Sequence, residues 1–161
     1  YYLCQHLSNA GAKLIVTDVN QANLDRVVND FNATVVAPDD IYDQEVDIYA
    51  PCALGATLNR QTLPRLKAKI VAGCANNQLA TPEIDQALTD AGILYAPDYV
   101  INAGGIINIS FESSGYCANK ANAKVEKIYD TLSTLYSRAS KENRPTGELA
   151  DQLAQEILAA K

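Results

Sequence analysis

Hydrophobic positions along this chain change their spacing in a regular order, and that order predicts alternating helices and strands. Leu3, Leu7 and Ala10 share a helical face and Gly11 follows as a stop, so residues 1–10 read as the tail of a helix. Lys13-Leu14-Ile15-Val16-Thr17-Asp18 is a short apolar run ending in an acid, the pattern of a buried parallel strand. Asn20 can cap a helix carrying Leu24, Val27, Val28 and Phe31 at helical spacing. Four more short runs read as strands: Thr34 to Val36, Val46 to Pro51, Lys69 to Gly73, and Ile93 to Ala96. Between the last two, Thr81 is expected to cap a helix that Pro82 opens and Gly92 ends.

After Gly104-Gly105 the pattern turns wholly helical. An amphipathic segment covers about 119–141, with Val125, Ile128, Leu132 and Leu135 in its stripe, and Asn143-Arg144-Pro145 breaks it. A last helix is expected over about 147–160, with Leu149, Leu153 and Ile157 in a row. Strands alternating with helices imply βαβ units, hence an α/β fold with a doubly wound, mostly parallel sheet. One domain over residues 1–161 is expected, with 119–161 as its C-terminal helical segment. The chain holds no Met and opens inside an apparent helix, so it reads as a piece of a longer protein.

Composition narrows the function. The 161 residues are 48% hydrophobic and 20% charged, ordinary for a folded domain and too apolar for disorder. Thirteen Lys and Arg against nineteen Asp and Glu give a net charge of -6, which disfavours a nucleic-acid partner. No apolar stretch approaches the roughly 18 residues of a membrane span, and residues 1–4 lack the pattern of a secretion signal. The expected location is cytoplasmic. Cys4, Cys52, Cys74 and Cys117 are dispersed and His6 is the only histidine, so no metal site is expected. The four thiols are expected to be reduced and mostly buried. With no base beside them, a nucleophilic role is not expected.

Several residues could carry binding chemistry. Asp18 sits where a dinucleotide fold places an acid that accepts ribose hydroxyl hydrogen bonds and repels the 2′-phosphate of NADP. Counting back, the Gly-rich phosphate turn would fall at or just before Tyr1. The alternative for Asp18 is a plain strand-end acid capping the next helix. Ala50-Pro51-Cys52-Ala53-Leu54-Gly55 lies at the carboxyl edge of a strand, where such sheets bind ligands, and Gly55 would let backbone approach one. Gly73-Cys74-Ala75-Asn76-Asn77-Gln78 occupies the same edge one strand later. Its amides suit a carboxamide or carboxylate, though Asn is also a turn former. Asn102-Ala103-Gly104-Gly105 offers a polar side chain and open backbone at one point, suited to a nicotinamide or a substrate carboxylate.

Taken together, Val16-Thr17-Asp18, Ala50 to Gly55, Gly73 to Leu79 and Ala96 to Gly105 resemble the amino-acid dehydrogenases, in order and with compatible gaps over almost the whole chain. Ile128-Tyr129-Asp130 fits as well, and the Pro97-Asp98-Tyr99-Val100 form resembles the leucine, valine and phenylalanine branch. The resemblance implies a Rossmann-type sheet lacking its first strand, with terminal helices that pack toward a second domain. It implies oxidative deamination of an L-amino acid to a 2-oxo acid and ammonium, with NAD as cofactor. Asp18 matches the ribose-binding acid, and Cys52 and Ala53 the adenosine side. Ala75 and Asn76 match positions near nicotinamide and substrate, with Asn77 the alternative to Asn76, and Asn102 matches the nicotinamide end. Ile106 and Ile109 match the pair shaping the substrate side-chain pocket, whose branched apolar character favours an aliphatic substrate, worth about 1–3 kcal/mol per methylene.

The family's phosphate turn and its N-terminal catalytic domain are not in this sequence, so no residue here takes the proton-transfer role. That N-terminal domain is an expected partner, as are an amino-acid substrate and further copies in a homo-oligomer. The rival readings are a catalytically inactive module for nucleotide binding or oligomerisation, and an NAD enzyme acting on a small 2-hydroxy or imino acid.

Overall fold

In this computed structural model, which describes residues 1–112 and 115–160, seven α-helices and five two-residue strands are formed among the described residues. Lys161, the end of the segment expected over 119–161, lies outside the described residues. The chain divides into two compact units.

The first unit is Tyr1–Glu45 with Arg65–Lys67. It holds α1 (Tyr2–Asn9), β1 (Ile15–Val16), α2 (Gln21–Phe31) and β2 (Thr34–Val35). β1 and β2 are parallel, with Ile15 opposite Thr34 and Val16 opposite Val35. α2 begins as its sequence requires: the Asn20 side chain accepts hydrogen bonds from the Ala22 and Asn23 amides. It ends on Asn32 in the left-handed region, φ 53, which Asn tolerates. Leu24 and Val27 are buried on its inner face. A 3-10 turn, Asp40–Asp43, is clamped by Arg65, whose guanidinium reaches the Asp39 and Asp43 carboxylates at 3.0 and 2.7 Å.

The second unit is Val46–Pro64 with Ala68–Lys161. Its sheet runs β3 (Ile48–Tyr49), β4 (Ile70–Val71), β5 (Leu94–Tyr95) in that spatial order, all parallel. Both sheets are wholly parallel, a pair in the first unit and a triplet in the second. The α/β parallel class expected from the sequence is therefore what is found.

The β3-to-β4 connection carries no α-helix among its residues, only a 3-10 turn, Leu63–Arg65. Side chains shape that connection instead: Asn59 accepts from the Gln61 and Thr62 amides, and the Thr62 hydroxyl donates to Thr57 O at 2.6 Å. Leu58, fully buried, forms a parallel bridge with Leu79. One local expectation fails, the cap of α3 (Glu83–Asp90). Pro82 takes the cap position with no side-chain bond, and the Thr81 carbonyl, not its hydroxyl, receives the first helical amide, from Ile84 at 3.1 Å.

Beyond β5 come α4 (Asp98–Ile101), α5 (Gly104–Ile109), α6 (Ala118–Glu142) and α7 (Thr146–Ala159). Asn143, φ 51, turns the chain between the last two. Leu135, Leu149 and Ala150 form their buried seam, with Val100, Ala139 and Leu153 against it. The row expected on α7 stops short, because Ile157 is exposed. At the other end of α7, the Asp85 carboxylate of α3 accepts the Glu148 amide at 3.2 Å, and the Thr146 hydroxyl donates to Tyr95 O at 2.7 Å. Among the described residues no helix is long and apolar enough to cross a membrane.

Candidate functional site

The segments leaving β3 and β4 run side by side at the carboxyl edge of the second unit's sheet. Ala75 N–H donates to Pro51 O at 3.0 Å, Ala56 N–H to Asn77 O at 2.7 Å, and Leu58 N–H to Gln78 O at 3.0 Å. This closeness depends on two glycines. A Cβ on Gly73 would strike the Pro51 carbonyl oxygen, and one on Gly55 would lie 2.8 Å from Asn76 O and 2.9 Å from Asn77 O. The space beside Gly55 is thus taken by neighbouring backbone.

Gln78 ties the second segment into a closed loop. Fully buried, it donates from Nε2 to Gly73 O at 2.8 Å and to Ala75 O at 3.0 Å. Its own amide donates to the Asp98 carboxylate at 2.7 Å, and the Asp98 amide donates to the Tyr95 hydroxyl at 3.2 Å. Burial first, and then the Asp98 charge, push the Tyr95 hydroxyl above its ordinary range, so it stays protonated.

That loop presents Asn76. Asn102, the residue following α4, donates from Nδ2 to Asn76 Oδ1 at 2.6 Å and to Cys74 O at 3.5 Å. The two asparagines thus meet, although 26 positions separate them. Asn77 does something else: at φ 52 it makes the left-handed turn of the loop. The Asn76–Asn102 bond uses one amide's oxygen and the other's nitrogen. Asn76 Nδ2 and Asn102 Oδ1 remain, a donor and an acceptor complementary to a primary carboxamide, so the pair fits the polar end of a nicotinamide. Neither amide titrates, so this arrangement can orient a bound group but moves no proton.

The remaining expected residues are placed as follows. Cys52 and Ala53 are exposed on the first segment, and Ala75 is buried under the second. Ile106 and Ile109 stand out from α5, 73% and 61% exposed. Asp18, in the first unit, follows β1. Its two oxygens accept the Asn20 amide at 2.9 Å and the Asn23 side chain at 3.0 Å. These bonds, the Asn20 amide foremost, hold its carboxyl below the usual range. Asn20 rather than Asp18 caps α2, and the exposed carboxylate keeps lone pairs for further donors. The cysteines correct the sequence expectation: none is buried, and Cys52 and Cys74 are exposed.

Gln78, Asp98 and Tyr95 escaped the sequence reading as site components. Gln78 and Asp98 lie inside the singled-out motifs, but nothing local reveals that a Gln amide closes a loop or that an acid 20 residues on takes its backbone N–H.

Known proteins match this chain closely. The family model for Glutamate/Leucine/Phenylalanine/Valine dehydrogenase matches residues 6–159. Leucine dehydrogenase of Geobacillus stearothermophilus is 51% identical over 156 residues, 97% of this chain and 42% of that protein. Leucine dehydrogenase of Thermoactinomyces intermedius is 53% identical over 156 residues, covering 97% and 43%. The crystal structure of L-tryptophan dehydrogenase from Nostoc punctiforme superposes with a TM-score of 0.96 at 46% identity, covering 99% of this chain and 48% of that one. The chain spans less than half the length of these relatives.

Proposed function

The chain belongs to the glutamate/leucine/phenylalanine/valine dehydrogenase family, and we propose that it is the cofactor-binding part of an NAD-dependent dehydrogenase for a branched-chain L-amino acid. Membership in this family implies a nicotinamide cofactor. The observation that carries the reading is the Asn76–Asn102 pair, which joins two loops into one carboxamide-complementary point at the strand ends. In this reading Asn76, with Ala75 beneath it, and Asn102 hold the nicotinamide carboxamide. Cys52 and Ala53 line the adenosine side, and Asp18 accepts the ribose hydroxyls. The bound cofactor supplies the hydride acceptor. Ile106 and Ile109, exposed on α5, complete the apolar part of the substrate pocket when the catalytic domain covers them. That domain supplies proton transfer and closes the cleft against water.

The test is cofactor choice in the full-length protein that carries this chain. Asp18→Ala is expected to weaken NAD about tenfold and to relax discrimination against NADP, since the variant loses both the ribose acceptor and the charge facing a 2′-phosphate. Calorimetric titration of both nucleotides reads this directly. Unchanged affinities for both would remove Asp18 from the site. Because local hydrogen bonds hold Asp18 ionised below the usual carboxylate range, NAD affinity should stay flat as pH falls from 7 to about 5.

A further inference from the structure

We propose that Asp98 is a positioning residue, which keeps Asn76 and Asn102 together by fastening Gln78 to the start of α4. This rests on the reading of the two asparagines as the carboxamide-binding pair and deepens it.

The start of α4 is fixed to the sheet. Ala96 and Pro97 are fully buried, and the Ala96 amide donates to Val71 O of β4 at 2.9 Å. Asp98 comes next, also buried, with its own amide donating to the Tyr95 hydroxyl at 3.2 Å. From that fixed base its carboxylate accepts the Gln78 amide at 2.7 Å. A charged acceptor makes such a bond about twice as strong as a neutral one.

The hydrogen bonds then close a ring. Gln78 Nε2 donates to Ala75 O, next in the chain to Asn76. Asn76 Oδ1 accepts from Asn102 Nδ2 at 2.6 Å, and the Asn102 amide donates to Asp98 O at 2.9 Å. The two ends of the four-residue helix α4 therefore grip one loop, Asp98 at Gln78 and Asn102 at Asn76. The two grips differ in strength. The Asn76–Asn102 bond is exposed, where water competes for both amides, whereas the Asp98–Gln78 bond is buried. The buried bond thus fixes the spacing that the exposed one needs. Without the Asp98 acceptor the Gln78 amide is orphaned, and the loop must shift to satisfy it. Asn76 moves with the loop, away from Asn102.

The experiment is calorimetric titration of the full-length protein that carries this chain, with NAD and with ADP-ribose, which lacks the nicotinamide. Asp98→Ala should lower the affinity for NAD relative to ADP-ribose about tenfold, the scale of one or two lost hydrogen bonds. Binding of ADP-ribose shows that the variant is folded. Asp98→Asn, which keeps an acceptor oxygen for the Gln78 amide, should recover most of the lost ratio, a rescue that loss of stability alone would not give. If Asp98→Ala binds no ADP-ribose, Asp98→Ser, whose hydroxyl falls one bond short of the Gln78 amide, is read in the same way. Loss of ADP-ribose binding in both would assign Asp98 to folding alone and overturn the proposal. Asn102→Ala, run in parallel, should lower the same ratio, and an unchanged ratio there would overturn the carboxamide reading itself. A ratio lowered by Asn102→Ala but not by Asp98→Ala, or no recovery in Asp98→Asn, would overturn the role of Asp98 alone.

Discussion

Replacing Gln78 tests whether the loop that presents Asn76 is held by side-chain hydrogen bonds or by packing alone. Gln78→Leu keeps most of the buried volume and removes both Nε2 bonds, leaving Gly73 O and Ala75 O without that donor in a buried setting. Each orphaned carbonyl costs about 1–3 kcal/mol. Set against this, Gln78 Oε1 is itself buried without a partner, and its removal returns about 1–3 kcal/mol. Two losses against one gain leave a net cost of about 1–3 kcal/mol. At roughly 2–4 °C per kcal/mol for a chain of this size, the melting temperature falls by about 2–12 °C. Gln78→Ala adds a cavity term of about 1–2 kcal/mol. Gln78→Glu is worse again, because an acceptor and a buried charge then face two carbonyl oxygens. Thermal unfolding followed by far-UV circular dichroism should rank wild type above Leu, Leu above Ala and Ala above Glu. A Gln78→Leu variant melting with wild type would refute the reasoning, since the two carbonyl bonds would then contribute nothing.

Two further outcomes are expected. Burial, ahead of the opposing Glu148 and Gly147 amides, raises the Asp85 carboxyl above its ordinary range. The native state therefore keeps a proton that the unfolded chain has released, and stability should fall as pH rises from about 4 through the raised folded value. Asp85→Asn, whose amide oxygen can still accept the Glu148 N–H, should flatten that slope in melts across pH 4–7. An unchanged slope would place the titration elsewhere. In the full-length protein that carries this chain, the proposed function predicts that Ile109→Ala moves relative kcat/KM from leucine toward phenylalanine by about tenfold or more, the scale of one or two methylenes in an apolar pocket. An unaltered ratio would take Ile109 out of the pocket.

What the sequence alone determined is what depends on near neighbours. Leu24 and Val27 at helical spacing behind an Asn cap gave α2, and the Asn143-Arg144-Pro145 break separated α6 from α7. Short apolar runs marked all five strands, and the loops after them marked the binding edge and carried the family resemblance. Such features are legible because helix and strand periods, caps and turns act over a few residues. Only the tertiary structure showed that Asn76 meets Asn102, 26 positions away, while Asn77 turns the chain. It alone showed that Gln78 and Asp98 brace that loop, that the β3–β4 connection needs no helix, and that the cysteines are not buried. Burial and pairing across loops depend on which strands lie side by side, and local periodicity carries no record of that register.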